Sequence, residues 1–131
     1  MQIHQSAEDY LETILMLTQR MGRVRSIDVV NELGYTKASV SIAMKKLREN
    51  GYIAVDGEGN LTLLEPGREI AERIYSRHRL LTHFFVQLGV DEEVAAEDAC
   101  KAEHILSEQT LKKIREYALL HDAEDSVQKS E

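Results

Sequence analysis

The sequence predicts a mainly α-helical protein in two parts, a three-helix unit closed by a short β-hairpin and then a purely helical part. Three observations predict it. Apolar residues recur at helical spacing through most of the chain, the short strand-like runs are confined to "YIAVDGEGNLTLL", and four glycines (Gly22, Gly34, Gly51, Gly89) stand where a helix should stop.

The elements follow in order. In "SAEDYLETILMLTQRMG", Ser6 and Asp9 form a capping pattern, Tyr10, Ile14, Leu17 and Met21 make an apolar stripe, and Gly22 ends the helix. "SIDVVNELG" reads as a short helix from Ser26 to Leu33, stopped by Gly34. "TKASVSIAMKKLRENG" is a third, capped by Thr36 and closed by Gly51. Two strand-like runs then flank Gly57, Glu58, Gly59 and Asn60 as a hairpin. Pro66, the one proline, opens a long helix at its first turn, where a missing N–H costs nothing. This helix runs to about Leu88, with Ala71, Ile74, Leu81, Phe85 and Leu88 on a buried seam that also carries His78. Asp91 caps a helix through "VDEEVAAEDACKAEHIL", Ser107 caps a last one to about Leu120, and "HDAEDSVQKSE" reads as too polar to pack.

Three helices and a hairpin, with the second and third helices joined at Gly34-Tyr35, have the order of a winged helix-turn-helix, whose third helix enters the DNA major groove. In that helix Val40, Ala43, Met44 and Leu47 are predicted to face inward. Thr36, Lys37, Ser39, Ser41, Lys45 and Lys46 face outward, small polar groups suiting base edges and lysines suiting phosphates. Arg25 and Ala38 complete the candidate DNA-binding set. The net charge of -7 is unevenly spread. Between Arg20 and Asn50 seven bases against three acids leave +4, whereas from Asp91 onward twelve acids against five bases leave -7. A basic front and an acidic back suggest separate tasks.

No apolar run approaches the roughly 20 residues of a membrane span. The start "MQIHQSAEDY" lacks a secretory pattern, and a single cysteine agrees with a reducing compartment, so a cytoplasmic location is expected. Cys100, Glu103 and His104 lie at i, i+3 and i+4, which places all three on one face of a helix within a turn of each other. Their thiolate, carboxylate and imidazole are ligands for Mn, Fe, Co and Zn. Asp9 and Glu12 form a second pair at i, i+3. Each feature alone also has an ordinary reading, a solvated acid pair or a hydrogen-bonded core histidine, and the weight lies in the combination with His78. An enzyme is not expected: Cys100 sits mid-helix among Glu97, Asp98 and Glu103, which disfavour a thiolate, and no phosphate loop, nucleophile elbow or zincin pattern occurs.

Taken in order, "SAEDYLETILML", "KASVSIAMKKLRENGYI", "RHRLL" and "EDACKAEHILS" resemble the metal-dependent repressors of the diphtheria toxin repressor and manganese transport regulator family, over almost the whole chain. The resemblance implies a winged-helix DNA-binding domain over 1–65 and a helical metal-binding and dimerisation domain over 66–122; the polar composition of 123–131 suggests a flexible tail. It also implies a homodimer that binds palindromic operators of metal-uptake genes with Mn(II) or Fe(II) as corepressor, the metal lying between the domains. Asp9, Glu12, His78, Glu103 and His104 match the ligands of manganese-type members. Cys100 does not: manganese-type members carry glutamate there and iron-type members cysteine, but the latter lack the Asp9 and Glu12 pair. Thr82 and Ala96 stand where iron-type members place a glutamate and a histidine of a second site. The chain combines both patterns, so both metals stand as expectations, and a metal-independent winged-helix regulator is the alternative.

Overall fold

In the computed structural model, which describes residues 5–129 and the side chains of residues 5–123, helix α1 spans Gln5–Met21. Its apolar face buries Tyr10, Leu11, Ile14, Leu15 and Leu17, while Met21 at the helix end is exposed. Ser6 is already helical rather than the cap read for it.

The next two helices follow their local chemistry. Helix α2 (Ser26–Leu33) is held at its start by the Asp28 carboxylate, which accepts the Arg25 backbone N–H at 2.9 Å. It ends where Gly34, at φ 72°, turns the chain and donates its N–H to the Val30 carbonyl. Helix α3 (Lys37–Glu49) has Thr36 as its cap, whose Oγ1 accepts the Ser39 N–H at 3.1 Å. Val40, Met44 and Leu47 are buried and Ala43 is half-buried, as the spacing predicted.

Strands β1 (Ile53–Val55) and β2 (Leu61–Leu63) pair antiparallel, Ile53 opposite Leu63 and Val55 opposite Leu61. The hairpin is tied to the α1–α2 connection by an Arg25–Asn60 bridge and by the Leu61 N–H bonding the Val24 carbonyl at 2.7 Å. Its tip is organised by one carboxylate. Asp56 Oδ1 accepts the backbone N–H groups of Glu58 and Asn60, both at 2.9 Å, and Oδ2 accepts the Asn60 side-chain amide at 3.0 Å. The Asn60 side-chain bond above all, then its backbone N–H, hold the Asp56 carboxyl below its ordinary 3.8.

Helix α4 (Glu65–Gln87) starts hard against the hairpin. The Tyr52 carbonyl accepts the Leu64 N–H at 3.0 Å, and a Cβ on Gly67 would lie only 2.2 Å from that same oxygen. Ala71 and Ile74 from this part of α4 are buried in the first unit. The chain divides into two compact units between Ile74 and Tyr75, within α4. The first turns of α4 thus belong to the unit that contains the hairpin.

The second unit contains the rest of α4, helix α5 (Glu92–Ala102) and helix α6 (Glu108–Lys129). Its centre is Leu81, Ala99 and Leu111, with Leu80, Phe85, Ala102, Leu106 and Ile114 packed on it. Along one flank Phe84 meets Tyr117 edge to face, and the Gln87 amide donates to the Ala118 carbonyl and to Asp122, which also faces His83 at 3.0 Å. Three expectations change. Leu88 lies past the end of α4 and is exposed, so the seam stops at Phe85. Helix α5 ends at Ala102, leaving Glu103 and His104 in a turn rather than on the helix. Helix α6 continues through most of the segment expected to be a flexible tail, because that segment is rich in helix formers and has no glycine or proline to stop it. Among the described residues no helix is long and apolar enough to cross a membrane.

Two outcomes follow from the hairpin. Gly67→Ala should lower stability by about 1–3 kcal/mol, because the methyl can be placed only by parting α4 from the Tyr52 carbonyl; an unchanged urea midpoint would contradict that close approach. Asp56 has a depressed folded pKa, so its contribution is present above the unfolded value and is lost as pH falls through the folded one. The protection factors of the Glu58 and Asn60 amides, each taken against an unfolded reference at the same pH, should accordingly fall on acidification below the ordinary carboxylate range in the native chain, and should be low at every pH in Asp56→Ala.

Candidate metal centre and nucleic-acid interface

Twenty-three acidic residues occur in the chain, and among the described ones only Glu12 and Glu103 are buried, at 6% and 0% exposure. One lies in each unit. An ionised carboxylate withdrawn from water is costly unless a positive partner is supplied, so these two positions need a chemical reason.

In the first unit, Glu12 follows Asp9 by one turn of α1, within the run from Tyr10 to Leu15 in which every residue is buried. Asp9 is half-buried. The neighbouring Tyr10 stacks edge to face with Tyr35 from the α2–α3 turn, centroids 5.9 Å apart. Burial first, then Tyr35 and the Asp9 charge, push the Tyr10 phenol above its ordinary 10. Between two acids on one helix it stays a neutral, apolar anchor that fixes the register of α1 against the helix-turn-helix.

In the second unit, Glu103 stands at the end of α5 with its N–H bonded to the Ala99 carbonyl at 2.9 Å. Its Oε2 lies 3.1 Å from His78 Nδ1 on α4, and its Oε1 lies 3.4 Å from His104 Nε2, too poorly placed for a hydrogen bond. His104 is itself almost fully buried, with 2% of its side chain exposed. The turn that carries these residues is clamped from α4, where Arg77 donates to the Glu103 carbonyl at 3.2 Å and pairs with the Glu108 carboxylate at the start of α6. Ser107 caps α6 by accepting the Thr110 N–H. The Thr82 hydroxyl donates to the His78 carbonyl one turn on.

A buried carboxylate between two imidazoles is a donor set that fits a divalent cation of the first transition row. The structure therefore brings His78, Glu103 and His104 together within the second unit, and places Asp9 and Glu12 one turn apart within the first. Cys100 behaves differently. It is exposed on α5, whereas Glu103 at the helix cap is wholly buried in line with Ala95 and Ala99, so the three side chains expected on one face do not share one environment.

The candidate nucleic-acid face is on the first unit. Thr36, Lys37, Ala38, Ser39, Ser41, Lys45 and Lys46 are all exposed on or beside α3. Arg25 is exposed as well, but its backbone bridges Asn60 and its guanidinium lies against Gly59, within about 3.4 Å of where a Cβ would stand, so it also braces the hairpin. Sequence spacing did not single out Arg77, which carries no signature beyond adjacency to His78, nor the exposed Ile42 on α3.

Comparison with known proteins gives the same division of labour. Residues 2–61 match the family model for the N-terminal DNA-binding domain of iron-dependent repressors, and residues 64–122 match that for their metal-binding and dimerisation domain. An uncharacterized HTH-type transcriptional regulator of Methanocaldococcus jannaschii is 35% identical over 113 residues, 85% of this chain and 90% of that protein. The HTH-type transcriptional regulator MntR of Bacillus subtilis is 32% identical over 124 residues, 95% of this chain and 87% of that protein. Among solved structures, a manganese-dependent transcriptional repressor in complex with manganese is 28% identical with a TM-score of 0.78, over 86% of this chain. The chain spans about half of that structure's length (52%).

Proposed function

Since the chain belongs to the iron-dependent repressor family and is thereby a metal-dependent transcriptional repressor, we propose that it acts as a homodimer that binds palindromic operators and represses metal-uptake genes when Mn(II) or Fe(II) is bound. The ligands proposed are Asp9, Glu12, His78, Glu103 and His104, with Cys100 at the exposed edge of the set. The observation that carries the reading is burial: the two acids withdrawn from water, Glu12 and Glu103, are both members of this set. When bound, the ion would set a divalent charge against these carboxylates. Carboxylates with imidazoles suit Mn(II) and Fe(II), which take harder donors than zinc or copper sites usually offer.

The switch follows from which unit owns which donor. Asp9 and Glu12 belong to the first unit, and His78, Glu103 and His104 to the second. A donor set drawn from both is complete in one arrangement of the units only, and the difference in affinity between arrangements is the free energy available to regulate DNA binding. An arrangement that sets two α3 helices of a dimer about 34 Å apart matches successive major grooves. Arg77 contributes by holding the Glu103 turn closed, and Tyr10 by keeping α1 in register with α3. On the DNA side, the reading assigns Thr36, Ala38, Ser39 and Ser41 to base edges, and Arg25, Lys37, Lys45 and Lys46 to phosphates.

His104→Ala should abolish metal-dependent binding to an operator duplex while leaving the fold intact. Equal affinity in the mutant, in the native chain with Mn(II), and in the native chain with EDTA would instead favour a metal-independent regulator. Lys45→Ala should weaken binding across sequences and reduce the slope of log affinity against log salt by about one unit. An unchanged slope would place that lysine off the phosphates.

A further inference from the structure

The outward face of α3 has one feature that phosphate or hydrogen-bond contacts leave unused. With Val40, Met44 and Leu47 buried, the helical repeat puts Ala38, Ile42, Lys45 and Glu49 on the opposite side, flanked by Ser41 and Lys46. Ile42 is 58% exposed, more than any other large apolar residue described in the first unit. Single exposed apolar residues are ordinary on protein surfaces. This one occupies the middle of the groove-facing side, with a small residue one turn before it and lysines one turn after it.

The chemistry of the major groove narrows what an isoleucine can do there. Guanine, adenine and cytosine present hydrogen-bonding atoms, and thymine alone adds an apolar group, its C5 methyl. Isoleucine neither donates nor accepts, and against a purine N7 it would displace water without replacing its hydrogen bond. Against a thymine methyl it removes apolar surface from water on both partners. Its β-branched side chain is stiff in a helix, so little rotamer freedom is lost on contact. We propose that Ile42 is a specificity-determining residue that reads a thymine methyl in each half-site of the operator. This rests on the operator-binding reading above, and it adds an apolar element to a face otherwise described by polar and basic groups.

The experiment uses the full chain with Mn(II). Duplexes are first enriched from a random-sequence pool by the native protein, and each thymine of the enriched duplex is then replaced singly by deoxyuridine, which removes only the C5 methyl. The expected result is one thymine per half-site at which the replacement weakens binding about fourfold, the worth of one buried methyl. In Ile42→Ala the same replacement should have no effect, and because Ile42 is exposed the variant should keep the native thermal midpoint. If the native protein is indifferent to every replacement, or Ile42→Ala keeps the same penalty, the assignment of Ile42 falls while operator binding stands. If no duplex is enriched at all, the operator reading falls, and this one with it.

Discussion

A carboxylate held wholly out of water is the constraint on which the second unit depends. Glu103 caps α5 and is still helical itself, at φ -58° and ψ -24° with its N–H on the Ala99 carbonyl, so it continues the stripe on which Ala95 and Ala99 are buried. Cys100, one residue on from Ala99, lies on the exposed side of the helix. Arg77 bonds the Glu103 carbonyl and pairs with Glu108, so the same cation that closes the turn also fixes where α6 begins. Two imidazoles then converge on the acid from α4 and from the turn itself. Arg77, His78 and Glu103 thus form a connected set, in which a change to the clamp is felt at the ligands.

In the first unit the corresponding constraint is contact between backbones. The Tyr52 carbonyl serves Leu64 and lies beneath Gly67, so the hairpin and the start of α4 are held at a distance no side chain could span. The hairpin is joined in turn to the α1–α2 connection through Val24, Arg25, Asn60 and Leu61. Helix α3 is thereby presented by a frame with few soft joints, which is what reading base edges demands, since a displaced recognition helix loses its register on the groove.

What was legible in the sequence was chemistry acting over a few residues. Thr36 capping α3, Gly34 ending α2, Pro66 in the first turn of α4 and the hairpin around Gly57 to Asn60 all express local backbone rules, and all stand where those rules put them. The end of α5 was not legible, because "CKAEHIL" contains no breaker; tertiary partners stop the helix, Arg77 on one side and the Ser107 cap on the other. The length of α6 was misjudged because polarity was read as absence of structure, though alanine, glutamate, glutamine and lysine favour helix irrespective of burial. For the site, residue types and spacing named the candidates, but nothing in "EDYLE" distinguishes a buried Glu12 from a solvated one. No local rule marks Gly67 as a point of backbone contact, or Ile42 as an exposed residue on an otherwise polar face.

The exposed isoleucine on α3 has a consequence for what counts as a base. A side chain that senses a methyl, and no hydrogen-bonding edge, does not distinguish the thymine methyl from the same group on 5-methylcytosine, which projects into the groove at the equivalent ring position. A contact of this kind makes recognition sensitive to the chemical modification of DNA as well as to its sequence. Enzymatic methylation of a cytosine could then create, at that position, a contact that the unmodified genome does not encode.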